Sequence, residues 1–177
     1  MLKKIERAQQ LLKKEAAVFR CPTCHQPMHV EGVGLICQQR HQFDLSKKGT
    51  LYFLNHGVQT EYNKKMFTSR GKMIQSGMYA PVLNKIMHYL PQNKTVVDVG
   101  CGEGSFLAEL SQAGLSGLKI GFDLSKEGIY LASNQPIDAF WCVADLTNLP
   151  FANEGLDTIL NIFSPSHYQE FRRVLKA

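Results

Sequence analysis

The chain has 177 residues, of which 44% are hydrophobic and 20% are charged, and its net charge is +5. This composition is typical of folded globular proteins and excludes disordered, collagen-like and disulfide-dense proteins. No apolar stretch approaches the roughly 20 residues that a membrane-spanning helix needs, so we expect no membrane partner. The first residues lack an export signal, which favours a cytoplasmic protein.

The charges are distributed unevenly along the chain. Residues 1–90 contain 14 lysines and arginines against 5 acidic residues, whereas residues 91–177 contain 6 against 10. A basic half of this kind is typical of proteins that bind polyanions. A solvated basic surface without a partner explains the charge equally well at this stage.

Two segments of the first half are predicted to be largely helical. Residues 1–19 carry apolar side chains at spacings of three and four, which predicts an amphipathic helix. Residues 57–91 are expected to form a basic linker that continues into a helix, and Pro91 ends that helix.

Between these segments lies a small, turn-rich unit at residues 20–56. Its predicted strands cover 33–36 and 51–54, and we expect Tyr52 and Phe53 to fill its core. A unit of this size cannot bury a sufficient core alone, so it needs a covalent or metal crosslink.

Strand and helix patterns alternate from residue 92 to residue 177. The predicted strands cover 95–99, 118–122, 139–144 and 156–163, and the predicted helices cover 105–112, 126–134 and 168–176. This alternation indicates an α/β fold with a Rossmann-like, doubly wound parallel sheet. The expected strand order is 3-2-1-4.

The cysteines of the small unit have the spacing of a metal site. The pattern C-x2-C-x12-C-x3-H is formed by Cys21, Cys24, Cys37 and His41. Four such ligands suit a tetrahedral, structural Zn²⁺ site. His25 and His29 compete with His41 for the fourth position, while isolated thiols or a redox CxxC motif are less consistent with the paired spacing.

A glycine-rich loop follows the first strand of the second half. Its D-x-G-x-G-x-G pattern is formed by Asp98, Gly100, Cys101, Gly102, Glu103 and Gly104. The pattern is neither the dinucleotide fingerprint nor a P-loop. Its two carboxylates disfavour a pyrophosphate and suit a ligand with an ammonium and a sulfonium group.

Two further acids follow the next two strands. Asp123 is placed to accept hydrogen bonds from ribose hydroxyls, and Asp145 from an adenine amino group, because ligands of open α/β sheets bind at strand carboxyl ends. Either aspartate alone could instead only cap a helix.

Residues 95–177 with these motifs resemble the class I S-adenosylmethionine-dependent methyltransferases. Together with the zinc unit, nearly the whole chain resembles the 23S ribosomal RNA (guanine-N1)-methyltransferases, Gram-positive branch. The resemblance is carried by Cys21-Pro-Thr-Cys24-His-Gln-Pro, Arg40-His41-Gln-Phe-Asp44-Leu, Ser76-Gly-Met-Tyr79, Gly100-Cys-Gly-Glu-Gly104 and Ile162-Phe-Ser-Pro165.

The resemblance implies a role for several residues. It implies that Tyr79 borders the cofactor pocket, that Asn161 and Ser164 bind the edge of the target guanine, and that Phe163 stacks on it. His167 is either a base or a surface residue. Phosphate contacts are expected from Lys47, Lys48, Lys64, Lys65, Arg70 and Lys72.

The resemblance also implies the partners and the extent of the domain. We expect 23S rRNA as the partner, with the zinc unit helping to recognise an RNA hairpin; no DNA partner is expected, and a homodimer stays open. Because the family continues beyond four strands, we expect either a fragment or a partner covering the fourth strand. The alternative functions are a non-catalytic RNA- or cofactor-binding protein and a methyltransferase acting on another substrate.

Overall fold

The computed structural model describes residues 2–58 and 60–177. Met1, at the start of the predicted N-terminal helix, and Gln59, in the predicted linker, lie outside the described residues. The helices are α1 (Lys4–Glu15), α2 (Lys64–Gln75), α3 (Ala80–Tyr89), α4 (Ser105–Gln112), α5 (Lys126–Ala132) and α6 (Tyr168–Val174). The strands are β1 (Met28–Glu31), β2 (Gly34–Cys37), β3 (Gln42–Asp44), β4 (Thr50–Tyr52), β5 (Val96–Val99), β6 (Lys119–Asp123), β7 (Phe140–Val143) and β8 (Thr158–Asn161).

The strands form two sheets. The small unit contains an antiparallel sheet of order β1-β2-β3, and the second half contains a parallel sheet of order β4-β7-β6-β5-β8. The order β7-β6-β5-β8 is the predicted 3-2-1-4. The expected Rossmann-like α/β fold is therefore confirmed.

One strand lies in a different sheet from the one that the sequence suggested. Residues 51–54 were expected to belong to the small unit, but β4 pairs in parallel with β7, with Leu51 opposite Cys142. The Phe53 N–H extends this pairing by donating to the Val143 carbonyl oxygen at 2.9 Å. In this position Leu51 and Phe53 are buried.

The core of the small unit is continuous with the core of the larger sheet. Phe19 packs against Phe53, Phe140 and Phe151, with ring centroids 5.0 to 5.9 Å apart. Phe53 is buried as expected, whereas Tyr52 is 37% exposed and does not fill the core. The small unit is thus packed directly onto the sheet that carries the predicted cofactor loop.

The predicted N-terminal helix is shorter than its apolar pattern suggested. It ends at Glu15, and a 3-10 turn (Ala16–Val18) leads into an antiparallel bridge between Phe19 and Phe151. Phe19 is therefore fixed by the sheet rather than by the helix. Among the described residues, no helix has the length and apolar character needed to cross a membrane.

The glycine loop is shaped by close contacts with Trp141. Gly104 has φ +80°, and a Cβ atom there would lie 2.6 Å from the Trp141 ring. A side chain at Gly121 would meet the same ring at 2.4 Å. These glycines let Trp141 pack beneath the loop, which fixes where α4 begins.

Candidate functional site

The four predicted metal ligands lie together at one end of the small unit. The ligand atoms of Cys21, Cys24, Cys37 and His41 are all within 4.8 Å of one another. The His41 Nδ1 atom is 3.5 Å from the Cys21 Sγ atom and 3.4 Å from the Cys37 Sγ atom, and Cys24 and Cys37 are 3.5 Å apart at sulfur. A zinc tetrahedron has edges of roughly 3.5–3.8 Å, so the four groups fit the ion. Neither His25 nor His29 belongs to this cluster.

Backbone turns hold the ligands in this arrangement. The Cys21 N–H donates to the Gln26 carbonyl oxygen at 2.9 Å, and the Arg40 N–H donates to the Cys37 carbonyl oxygen at 2.9 Å. Burial opposes ionisation of Cys37, but backbone hydrogen bonds at His41 and Gln39 and contacts with the neighbouring thiols lower the pKa of Cys37 to about 7. The thiolate form, which binds zinc, is therefore favoured.

A cavity of about 550 Å³ opens at the carboxyl ends of β5, β6 and β7. The predicted site residues on its wall are Tyr79, Gly100, Asp123, Asp145 and Ser164. This is the edge of the sheet where open α/β folds bind ligands. The volume falls within the usual range for small-molecule pockets, about 300–1,000 Å³.

The rest of the glycine loop lies behind this wall. The remaining loop residues are all buried: Asp98, Cys101, Gly102, Glu103 and Gly104. Among the described residues, the Asp98 Oδ2 atom and both carboxylate oxygens of Glu103 are buried without a hydrogen-bond partner. The pKa of Asp98 is raised to about 7, mainly by burial and also by Asp123 and Glu103, while Arg70 opposes the shift.

Asp123 and Asp145 hold local turns as well as facing the cavity. Asp123 accepts hydrogen bonds from the backbone N–H groups of Gly102 (2.9 Å) and Ser125 (2.8 Å). Asp145 accepts from the backbone N–H and the hydroxyl of Thr147, both at 2.8 Å. Neither aspartate caps a helix, because Ser125 is the N-cap of α5 and Asp145 precedes a turn. Burial raises the pKa of Asp123, although the hydrogen bonds counteract it.

Arg70 is the cavity residue whose position the sequence did not indicate. It was expected to contact phosphates, but its guanidinium lies on the cavity wall, 3.6 Å from Glu103. Helix α2 approaches the loop closely because Gly71 faces Ser105 and Glu103, where a Cβ atom would have neighbours at 3.2 and 3.3 Å. The helical spacing of Phe67, Gly71 and Ile74, which are all buried, is the sequence signal that could have placed Arg70 beside this inward face.

Of the predicted acceptor-binding residues, Phe163 and Ser164 line the cavity, whereas Asn161 lies beside Ser164 and is not on the wall. The Ser164 hydroxyl donates to the Val99 carbonyl oxygen at 2.7 Å and contacts the Asn161 side chain. The Asn161 amide is best satisfied when its nitrogen donates to the carbonyl oxygens of Ser164 and Pro165, at 3.2 and 3.3 Å. Phe163 is 78% exposed and lies edge-to-face with Tyr79, 5.8 Å between ring centroids.

His167 lies outside the cavity wall. Its Nδ1 atom accepts from the Glu170 backbone N–H at 3.2 Å and caps the start of α6. This contact favours the structural alternative for His167 over a role as a base.

The loop after β7 connects the metal cluster with the cavity. The Asn148 side chain donates to the Pro22 carbonyl oxygen at 2.8 Å, between the first two cysteines. The Arg20 N–H donates to the Pro150 carbonyl oxygen at 3.1 Å. Because this loop begins with Asp145, the metal unit supports one wall of the cavity. No local pattern of residues indicated this long-range contact.

The chain matches two protein families. Residues 19–55 match the family described as "RlmA, N-terminal", a zinc ribbon, and residues 96–177 match the family "Methyltransferase domain". The first match contains all four predicted zinc ligands. The second contains the glycine loop and both strand-end aspartates.

Similar proteins include two bacterial relatives. The chain is 41% identical over 172 residues to YxjB of Bacillus subtilis, provisionally named a 23S rRNA (guanine-N1)-methyltransferase. It is 27% identical over 172 residues to the 23S rRNA (guanine748-N1)-methyltransferase of Streptomyces fradiae. These alignments cover 90% and 93% of this chain and 61% of each relative. The chain thus spans about three fifths of the length of these relatives.

A solved structure supports the fold. It comes from Methanococcus maripaludis and is provisionally described as an S-adenosyl-L-methionine-dependent methyltransferase, with a TM-score of 0.57 and 18% identity. The alignment covers 69% of this chain and 63% of that chain. The parallel sheet, the strand-end cavity and the zinc ribbon thus agree with the resemblance. The chain thus combines an RlmA-type zinc ribbon with a methyltransferase domain.

Proposed function

We propose that the protein transfers a methyl group from S-adenosylmethionine to N1 of a guanine in a 23S rRNA hairpin. The observation that carries this proposal is an RlmA-type zinc ribbon packed against one wall of a strand-end cavity of about 550 Å³. The names of the Bacillus and Streptomyces relatives support the same substrate.

The cavity residues divide into two groups by the part of the cofactor that they would bind. Asp123 would accept hydrogen bonds from the ribose hydroxyls, and Asp145 from the adenine amino group. Gly100, with φ +66°, lets the backbone approach the ligand without a Cβ atom. Tyr79 would close the wall near the reacting methyl group.

Transfer requires the guanine edge to face the sulfonium methyl group, which the bound cofactor supplies as an electrophile. The Asn161 Oδ1 atom and the Ser164 hydroxyl would bind this edge, and the exposed Phe163 ring would stack on the base. As the N1–C bond forms and the C–S bond breaks, the N1 proton leaves toward water at the open mouth. The chain's contribution is then mainly orientation.

The zinc ribbon would have a structural role. Three thiolates and one imidazole complete a tetrahedron, so no coordination position is left for substrate or water. Its likeness to the RlmA N-terminal family supports a second role in hairpin recognition.

Helix α2 provides basic residues for RNA phosphates near the cavity. Lys64 and Lys65 are exposed beside Met66, which lines the cavity. Lys72 is exposed in the last turn of the same helix. These contacts would be independent of sequence and sensitive to salt. With ribosomal RNA as substrate, we infer a cytoplasmic protein, without a DNA partner. Sedimentation at increasing concentration tests for the homodimer.

Methyl transfer to 23S rRNA tests the proposal directly. The protein is incubated with tritiated S-adenosylmethionine and 23S rRNA, and reverse transcription locates the modified base, because N1 methylation blocks pairing. We expect a single stop at a guanine in a hairpin, and its loss in Asp123→Ala. Lys13→Gln, an exposed change on α1, is the matched control. Binding of the cofactor without any methylation of 23S rRNA would overturn the proposed substrate.

A further inference from the structure

Arg70 is the only basic residue among the described residues that line the cavity. Its Nη1 atom lies 3.6 Å from the Glu103 Oε2 atom, and its guanidinium carbon lies 5.5 Å from the centre of the Phe106 ring. Its side chain is 29% exposed. The guanidinium also covers Gly102, where a Cβ atom would approach Nη1 to 2.3 Å.

The groups at this end of the cavity have unused hydrogen-bonding capacity. Within the described parts of the chain, no hydrogen bond satisfies the Glu103 carboxylate or the Asp98 Oδ2 atom. The Arg70–Glu103 distance is that of a loose ion pair rather than a hydrogen bond. Buried charged groups in this condition are costly unless a partner satisfies them.

The missing partner needs both signs of charge. The N–H groups of Arg70 can donate to an anionic acceptor. The unsatisfied carboxylate oxygens of Asp98 and Glu103 can accept from a cationic donor. An α-amino acid group carries a carboxylate and an ammonium on one carbon. Arginine binds carboxylates through two parallel N–H donors, which makes the contact specific as well as strong.

We propose that Arg70 is a specificity-determining residue of the cavity, which binds the α-carboxylate of the cofactor's amino acid end. This inference rests on the proposed use of S-adenosylmethionine. Glu103 holds the guanidinium in place when no ligand is bound. The site thereby distinguishes a complete methionyl group from a ligand without the carboxylate.

Arg70 differs in exposure and surroundings from the lysines of the same helix that are proposed to bind phosphates. Lys65 and Lys72 are exposed, whereas Arg70 faces the cavity and the acidic loop. A phosphate reaching Arg70 would approach Asp98, Glu103 and Asp123, which repel anions. In an amino acid, the ammonium group next to the carboxylate is attracted to these acidic side chains and offsets the repulsion.

Equilibrium binding of two cofactors tests the proposal. Decarboxylated S-adenosylmethionine differs from S-adenosylmethionine only by the carboxylate, and both are titrated calorimetrically into wild type and Arg70→Gln. In Arg70→Gln, we expect S-adenosylmethionine to bind about 10- to 100-fold more weakly. Decarboxylated S-adenosylmethionine should bind with equal or higher affinity, because a neighbouring positive charge is removed.

Two further variants control the comparison. Lys72→Gln removes an exposed charge from the same helix and should leave both affinities unchanged. Arg70→Lys keeps the charge without the two-donor geometry, and its preference for the carboxylated cofactor should fall between the other two. It also serves if Arg70→Gln does not fold, as judged by thermal unfolding.

Each contrary result has a separate meaning. An equal loss of both affinities in Arg70→Gln and Arg70→Lys, or no loss for S-adenosylmethionine, would overturn the role of Arg70 alone. Wild-type protein that binds neither cofactor would overturn the proposed cofactor use as well.

Discussion

At the level of single residues, Asp98 combines a carboxyl group that is 2% exposed with an Oδ2 atom lacking a hydrogen-bond partner in the described structure. The positive charge of Arg70 lowers the pKa of Asp98, whereas the negative charges of Asp123 and Glu103 raise it. The pKa of Asp98 near 7 means that the folded protein retains a proton that an unfolded aspartate loses near pH 4. The ionised Asp98 carboxylate therefore lowers the stability of the folded protein.

We expect Asp98→Asn to stabilise the ligand-free protein most strongly above pH 7. The pKa of Asp98 is raised in the folded protein, so ionisation of Asp98 destabilises the wild-type fold. This loss of stability is small below about pH 4, grows between pH 4 and pH 7, and is complete above about pH 7. It amounts to at most about 4 kcal/mol. Thermal unfolding at pH 4.5 and pH 8 measures the difference, with the exposed Asp138→Asn as control. An equal effect of Asp98→Asn at both pH values would contradict this origin.

The glycine loop allows a second prediction at a single position. Gly104→Ala should destabilise the protein by about 2–4 kcal/mol, because its Cβ atom would meet the Trp141 ring at 2.6 Å in a backbone with φ +80°. Gly114→Ala is the matched control: its φ is +104°, but no atom lies within 4 Å of its Cβ position. Urea unfolding should show the larger loss for Gly104→Ala. Equal losses would mean that backbone strain, not contact with Trp141, dominates.

At the level of elements, the zinc ribbon and the loop after β7 form one support. The Asn148–Pro22 hydrogen bond and the bridge between Phe19 and Phe151 attach this loop to both ends of the ribbon's first turn. Asp145 is held at the start of the loop by Thr147. A change in the ribbon is therefore expected to alter the position of Asp145 at the cavity wall.

Zinc removal is expected to weaken S-adenosylmethionine binding although no ligand of the metal lines the cavity. Asn148→Ala should lower the affinity by about 2- to 10-fold with the zinc content unchanged, because one neutral hydrogen bond is lost. Glu154→Gln, an exposed change further along the chain, serves as control. Calorimetry and metal analysis give the two readings. Undiminished affinity in a folded, zinc-free protein would disprove the connection.

The elements of the second half were largely predictable, because a βαβ alternation and strand-end acids follow from local patterns. The location of β4 was not, since the alternating burial of Leu51 and Phe53 fits the edge of either sheet. The position of Arg70 on the cavity wall was not predictable for a similar reason: a polar, basic segment does not reveal which face of α2 is packed. Arg70 contacts the glycine loop because Gly71, which lacks a side chain, lets α2 pack closely against Ser105 and Glu103.

At the level of the whole molecule, the basic side chains of α2 and the acidic side chains of the glycine loop differ in their exposure. Lys64 and Lys65 stand on α2 at the mouth, whereas Asp98 and Glu103 are buried behind it. We therefore expect a polyanion to bind at the exposed lysines and not in the cavity. If RNA binds α2 and the cofactor binds the cavity, the two affinities should respond differently to salt.

Salt should weaken RNA binding much more than cofactor binding. The double variant Lys64→Gln/Lys65→Gln is expected to reduce the slope of log affinity against log salt by about 1.4–1.8, because two phosphate contacts are lost. Lys13→Gln/Lys14→Gln, an equal change of charge on α1, should alter the slope less. Filter binding of a 23S rRNA hairpin at several salt concentrations measures both. Equal slopes for the two double variants would exclude α2 as the phosphate-binding surface.

The position of β4 also has a consequence for how the chain folds. Thr50 pairs with Trp141, so the edge of the sheet joins residues separated by 91 positions. Contacts of such high sequence separation form late and slowly, because a long loop must close before they contribute. During synthesis, the ribbon emerges well before its partner strand. Docking of β4 is therefore expected to be the slow, final event of folding, and it completes the support of the cavity wall.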